Sequence, residues 1–261
     1  MNRIQVDYDG LAVDYDRRFV FSQDADTGQN LQHLVGQLHA QRILEAGCGT
    51  GHWLERLSAP GLDLFGLDLS SGMLAQAQRK IIPAHFVQGT ARQLPFREEK
   101  FDLVYCVNAL HHFADPTAFI GEAHRILAVG GILAIIGGSK PRSRSDWYIY
   151  QYFKGCYELD EQRFPAWSEV SGWFEGNGFT DLKLIDVAVI NESKLGREVF
   201  KDPFLEKHAC SQLALLPQES YQEGLLKIEK DVSKAETDGR ILAFRTWISI
   251  KMLSGMKNYP V

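Results

Sequence analysis

This sequence predicts an α/β fold with a mostly parallel sheet covered by helices on both faces. Three observations predict it. Short apolar strand-like segments alternate with helical ones from residue 30 to residue 136. A glycine-rich turn, Gly47-Cys48-Gly49-Thr50-Gly51, closes the first strong strand. The segment Ile132 to Ile136 is apolar at every position, as a central parallel strand buried on both faces should be.

Taken in order, residues 1–29 are polar with scattered aromatics and read as an arm or a short helix. Residues 30–40 place Leu31, Leu34, Val35 and Leu38 on one helical face. Arg42 to Ala46 is a buried strand, and Trp53 to Leu57 begins a helix. Leu62 to Leu67 is the second strand. Ser70 is the N-cap of a helix that points Met73, Leu74, Ala77 and Ile81 inward. His85 to Val87 and Phe101 to Val107 follow as strands. Pro116 opens a helix with Phe119, Ile120, Ala123, Ile126 and Leu127 on one face, and Gly130-Gly131 breaks it. After Gly138 the rhythm changes: residues 139–165 are basic, then aromatic. A helix returns at 167–177 with Val170, Trp173 and Phe174 inward, then a sixth strand from Leu182 to Ile190. Residues 194–236 read as helical, with Tyr221, Leu225, Ile228, Val232 and Ala235 as a packing stripe. Ile241 to Met252 is a seventh strand; its apolar even positions suit a place near a sheet edge.

Composition narrows the function classes. The 261 residues are 45% hydrophobic and 23% charged, with a net charge of -5. Such a balance does not attract a polyphosphate backbone, so no nucleic-acid partner is expected. The four cysteines, Cys48, Cys106, Cys156 and Cys210, show no paired spacing, so neither a metal site nor a disulfide framework is expected. Reduced thiols point to the cytoplasm. No secretory leader or integral membrane segment is visible in the sequence.

The chemistry concentrates around the glycine turn. Glycines let the backbone bend tightly and approach a ligand, and ligands of open α/β sheets bind at the carboxyl ends of the strands. Asp68 ends the second strand, where a carboxylate can accept both hydroxyls of an unphosphorylated ribose. Glu45 stands two residues before the glycines. A carboxylate there suits a ligand carrying an ammonium and a sulfonium and repels a pyrophosphate. The G-x-G-x-G spacing, rather than G-x-G-x-x-G, points the same way and against a nicotinamide oxidoreductase.

These residues carry a resemblance. Ile43 to Gly51, Gly66-Leu67-Asp68-Leu69-Ser70, Leu94-Pro95-Phe96, Phe101 to Val104, Asn108 to Phe113 and Arg125-Ile126-Leu127 with Gly130-Gly131 resemble the class I S-adenosylmethionine (SAM)-dependent methyltransferases. The chain is most similar to the group that includes the ubiquinone/menaquinone-biosynthesis enzymes. The resemblance implies a Rossmann-like class I methyltransferase fold with a seven-stranded sheet, forming one domain over residues 1–261. Insertions at about 139–165 and 191–238 would form a helical cap. It implies SAM as cofactor, S-adenosylhomocysteine (SAH) as product and a small-molecule acceptor. Gly47, Gly49 and Gly51, with Cys48 among them, would line the methionine half, and Glu45 would lie near its amino group. Asp68 would hold the ribose, and Leu69 and Met73 would flank the adenine. Thr90-Ala91 stands where many relatives carry an acidic adenine contact. Asn108 should face the reacting centre. Tyr15 and Arg18 lie in a stretch that folds over the cofactor in relatives.

Some readings stay open at this level. His111 and His112 are candidate general bases, or else they cap and pack the next helix. Trp147, Tyr148 and Tyr152 line an acceptor pocket, or else they are the core of a lid. The aromatic content suggests an apolar or aromatic acceptor. A SAM- or SAH-binding protein without transferase activity is the alternative function. The Asn/Asp-Pro-Pro-Tyr/Phe signature of amino-methylating nucleic-acid enzymes is absent: the fourth strand is followed by Asn108-Ala109-Leu110-His111.

Overall fold

In the computed structural model, which describes residues 6–13, 15–16 and 24–259, seven strands form one sheet. They are β1 (Arg42–Ala46), β2 (Asp63–Asp68), β3 (Ala84–Gln88), β4 (Phe101–Val107), β5 (Leu127–Gly137), β6 (Phe179–Leu195) and β7 (Ala243–Lys257). Their order is β3-β2-β1-β4-β5-β7-β6. The first five pair in parallel, and β7 runs antiparallel to both its neighbours. The order reverses beside β1, between β2 and β4. That switch point is where an open α/β sheet forms a ligand crevice.

Alternation along the central strands builds two cores. Ile43, Leu103, Tyr105, Ala134 and Ile136 face one side. There they meet Leu31 and Leu34 of α2 (Asp24–Leu38), Trp53 and Leu54 of α3 (His52–Leu57) and Leu74 of α4 (Ser71–Arg79). Leu44, Val104, Leu133 and Ile135 face the other side. They pack on Phe119, Ile120 and Ala123 of α5 (Pro116–Ile126) and, with Leu253, on Val170 and Phe174 of α8 (Trp167–Gly176). A third core lies beyond the strand ends. It joins α6 (Tyr148–Tyr152), α7 (Cys156–Arg163), α9 (Ser211–Ala214) and α10 (Gln218–Thr237) to Phe244 of β7. A short helix α1 (Tyr8–Leu11) precedes all of these.

The seven-stranded α/β fold expected from the sequence is the one observed, with local corrections. The helix expected from residue 30 already runs from Asp24. Ser70 caps α4 as expected, accepting from Met73 N at 3.1 Å. Ile81, however, does not point inward. The helix stops at Arg79, Lys80 is extended, and Ile81 is fully exposed (104%), while Ile82 packs on the core instead. Gly130-Gly131 does not end α5. Leu127 already pairs with Phe101, and Gly130, at φ +82°, lies where the β4–β5 register slips before Leu103 meets Ile132. Between β6 and β7, residues 196–201 and 203–205 are 3₁₀ turns, so only part of 194–236 is α-helical.

Candidate active site

The glycine turn after β1 folds over the end of β2. Gly47 N and Cys48 N both donate to Leu67 O, at 2.7 and 3.0 Å. Gly47 needs its φ of +72°, and a Cβ there would stand 2.6 Å from Ala109 Cβ. Asp68 closes the turn from the other side: Oδ2 accepts from Gly49 N at 2.7 Å and Oδ1 from Ser70 N at 2.9 Å. Burial raises the Asp68 carboxyl above its usual range, and these two backbone donors oppose the rise.

A cleft of about 770 Å³ opens at these strand ends. One part is lined by Gly47, Gly49, Asp68, Leu69 and Met73, with Thr90, Ala91 and Arg92 after β3. Asn108 follows β4 at φ +51°, a left-handed conformation that asparagine tolerates, and its N–H donates to Ile136 O at 2.8 Å. It also lines the cleft. The far wall comes from the 3₁₀ turn Leu110–His112 and from α7, through His111, His112, Leu159, Gln162 and Arg163, while Phe113 stands against Gly47.

The segment with residues 8–13 and 15–16 brings Tyr8 and Tyr15 to the cleft. Asp9 anchors this arm by accepting from Ser70 Oγ at 2.6 Å and Gly72 N at 2.7 Å. Asp16 accepts from Thr50 Oγ1 and pairs with Lys80 at 2.7 Å. Tyr8 Oη bonds His112 Nε2 at 2.7 Å, and the His111 ring stacks on Phe164 at 4.0 Å.

Of the residues expected from the sequence, Tyr15, Gly47, Gly49, Asp68, Leu69, Met73, Thr90, Ala91, Asn108, His111 and His112 all line this cleft. Glu45 and Cys48 line a recess of about 40 Å³ beside it, with Tyr15, Thr50 and Asn108. Glu45 is buried and accepts from Tyr105 Oη at 3.1 Å; burial lifts its carboxyl well above the usual range. Gly51 faces away from the cleft: it caps α3 at φ +75° and packs against Ile82 and Phe86. Its glycine serves the helix start. Arg18 lies outside the described residues.

Trp147, Tyr148 and Tyr152 do not line the cleft. Their helix lies against α10 and β7, so their rings form the third core: Tyr148 and Tyr152 contact Phe244, and Tyr148 Oη donates to Asp202 at 3.0 Å. Of the two readings left open, the structure supports the lid core. Among the cleft residues missed in the sequence are Tyr8, Arg92, Phe113, Leu159, Gln162 and Arg163. The α7 segment lies in the expected 139–165 insertion, but half of its residues are charged and it carries no motif, so the sequence did not single out its cleft residues.

Residues 44–135 match the family model described as a methyltransferase domain. An uncharacterized methyltransferase of Synechocystis is 33% identical over 54% of this chain and 67% of its own length. The chain belongs to the class I SAM-dependent methyltransferases. A demethylmenaquinone methyltransferase of Thermotoga maritima is 29% identical to this methyltransferase over 70% of the chain and 79% of its own length. A solved structure of a putative methyltransferase from an antibiotic biosynthesis pathway in Anabaena variabilis shares the fold at a TM-score of 0.64 and 19% identity. That superposition covers 87% of this chain and 96% of the other. The donor is therefore SAM and the product SAH.

Proposed function

We propose that this methyltransferase binds SAM at the ends of β1, β2 and β4 and methylates a small, largely apolar acceptor held against the far wall. One observation carries the reading. Besides the glycine turn and Phe113, which stands against Gly47, the cleft is lined by Leu159, Gln162 and the two histidines, which the turn does not need. In this reading Gly47 and Gly49 lie along the methionine half of SAM, Asp68 holds the ribose and Leu69 and Met73 flank the adenine. Glu45 reaches the amino group from its recess. Transfer from a sulfonium needs chiefly alignment. His112, bonded to Tyr8, is the group placed to take a proton if the acceptor carries one.

The chain then acts as one domain over 1–261, with segments 139–165 and 191–238 as the acceptor-selecting cap. Support comes from α7, which supplies cleft residues, and from Ser211, which holds Arg163 at 2.7 Å. No helix among the described residues is long and apolar enough to cross a membrane. The four cysteines are buried thiols, which supports a cytoplasmic location. The net charge of -5 favours a small molecule over a nucleic acid. The name of the Thermotoga maritima relative supports testing quinone-like acceptors first.

The test is SAH formation from SAM across a panel of quinols, phenols and aromatic acids. The reading expects turnover with one of these classes. Turnover confined to a protein or nucleic-acid acceptor would contradict it.

A further inference from the structure

The cleft has an uneven charge distribution. Its charged lining residues are Asp68 and Arg92 near the ends of β2 and β3, and Arg163 on the far wall. Arg163 is 12% exposed, yet it is poorly matched. Its Nη2 donates to Ser211 Oγ at 2.7 Å and stands 3.9 Å from Asp160 Oδ1. Its Nε and Nη1 are buried without an acceptor among the described residues. Asp160 Oδ1 is likewise buried without a hydrogen-bond donor among the described residues, so the two side chains face each other at ion-pair distance without bonding. Asp160 Oδ2 already accepts from Tyr150 Oη and Gln212 Nε2, each at 2.8 Å. Burial raises the Asp160 carboxyl above its usual range, and Arg163, Gln212 and Tyr150 oppose the rise.

The following residue ties Arg163 to the acceptor wall. The guanidinium lies over the Phe164 ring at 5.7 Å, and that ring stacks on His111. A buried cation with unmade hydrogen bonds is costly unless something completes it. Guanidinium geometry matches an oxygen anion better than any neutral group.

We propose that Arg163 is the acceptor-recognition residue, receiving an oxyanion (a carboxylate or ionised phenol) on an otherwise apolar methyl acceptor. This rests on the reading that the far wall holds the acceptor. The apolar body would lie against Leu159, with its anionic oxygen at Arg163.

The test uses 2-naphthoate and neutral 2-naphthamide as probes, titrated into the protein saturated with SAH. The expected result is at least ~10-fold tighter binding of the carboxylate, the scale of one charged hydrogen bond. That preference disappears in Arg163→Gln and is partly kept in Arg163→Lys, while SAH affinity stays within about twofold of wild type. Thermal melts establish that both variants are folded. Equal binding of the two probes by the wild type, or a preference that survives in Arg163→Gln, overturns the assignment. Loss of SAH affinity in Arg163→Gln also overturns it, because the arginine would then serve the carboxylate of the cofactor. Failure of the wild type to bind SAH is a different outcome and defeats the cofactor placement itself.

Discussion

Glu45 and Asp68 end neighbouring strands and are both held from water, but their partners differ. Asp68 receives two backbone donors, whereas Glu45 has the Tyr105 hydroxyl. The Glu45 carboxyl therefore titrates well above its unfolded value. A native state that holds the proton more tightly has its full stability below the usual carboxylate range, and loses stability as pH rises toward the raised value. Glu45→Gln keeps an acceptor for Tyr105 and removes the charge. It should raise the Tm of the ligand-free protein at pH 8 by about 2–4 °C, the size expected for ~1 kcal/mol, with no gain near pH 4. The same variant should bind SAM more weakly, because the ammonium loses its counter-charge. Melting curves at the two pH values check the first outcome and calorimetry the second. Both residues stood out in the sequence because a strand end fixes where its last side chains go. The role of Gly51 did not, since a glycine needed for a helix start looks the same as one needed for a ligand.

At the scale of elements, the Leu94-Pro95-Phe96 motif proves to be a latch. Arg125 on α5 donates to Phe96 O at 2.9 Å and Leu94 O at 3.1 Å and pairs with Glu122, which accepts from Leu94 N at 2.8 Å. The latch holds the loop that carries Thr90 and Ala91 to the cleft. Arg125→Met should cost about 1–3 kcal/mol in denaturant unfolding and weaken SAH binding several-fold. The third core should behave differently. A Cβ on Gly224 of α10 would stand 2.3 Å from Phe153 Cδ1. Gly224→Ala should therefore destabilise that cluster by about 1–3 kcal/mol and leave SAH affinity unchanged. The two variants, compared by unfolding and calorimetry, separate the two parts of the molecule. The sheet elements were legible because a buried parallel strand leaves a continuous apolar run. The segment after Gly138 was less so. Its aromatics Trp147, Tyr148 and Tyr152 fitted either a pocket or a core, and they form a core, because aromatic spacing records burial without recording against what.

Over the whole molecule, the part of the cleft at the ends of β1, β2 and β4 is written in contiguous motifs, and the rest is assembled from distant segments. Tyr8 and Arg163 reach the cleft only through tertiary structure, so no spacing in the chain announces them, whereas His112 stands in the Asn108 to Phe113 motif. This division accounts for a cofactor legible from sequence and an acceptor that needs the folded cleft. The account stands or falls on SAM occupying the strand ends beside Asp68. The most direct measurement is isothermal titration of SAM and, separately, SAH into the wild type and Asp68→Ala, with both shown to be folded by their melts. The account predicts saturable one-to-one binding by the wild type. It predicts at least ~100-fold weaker binding by the variant, the scale of two hydrogen bonds to a charged group. No binding of either ligand by folded, ligand-free wild type, or equal affinity in Asp68→Ala, would contradict it.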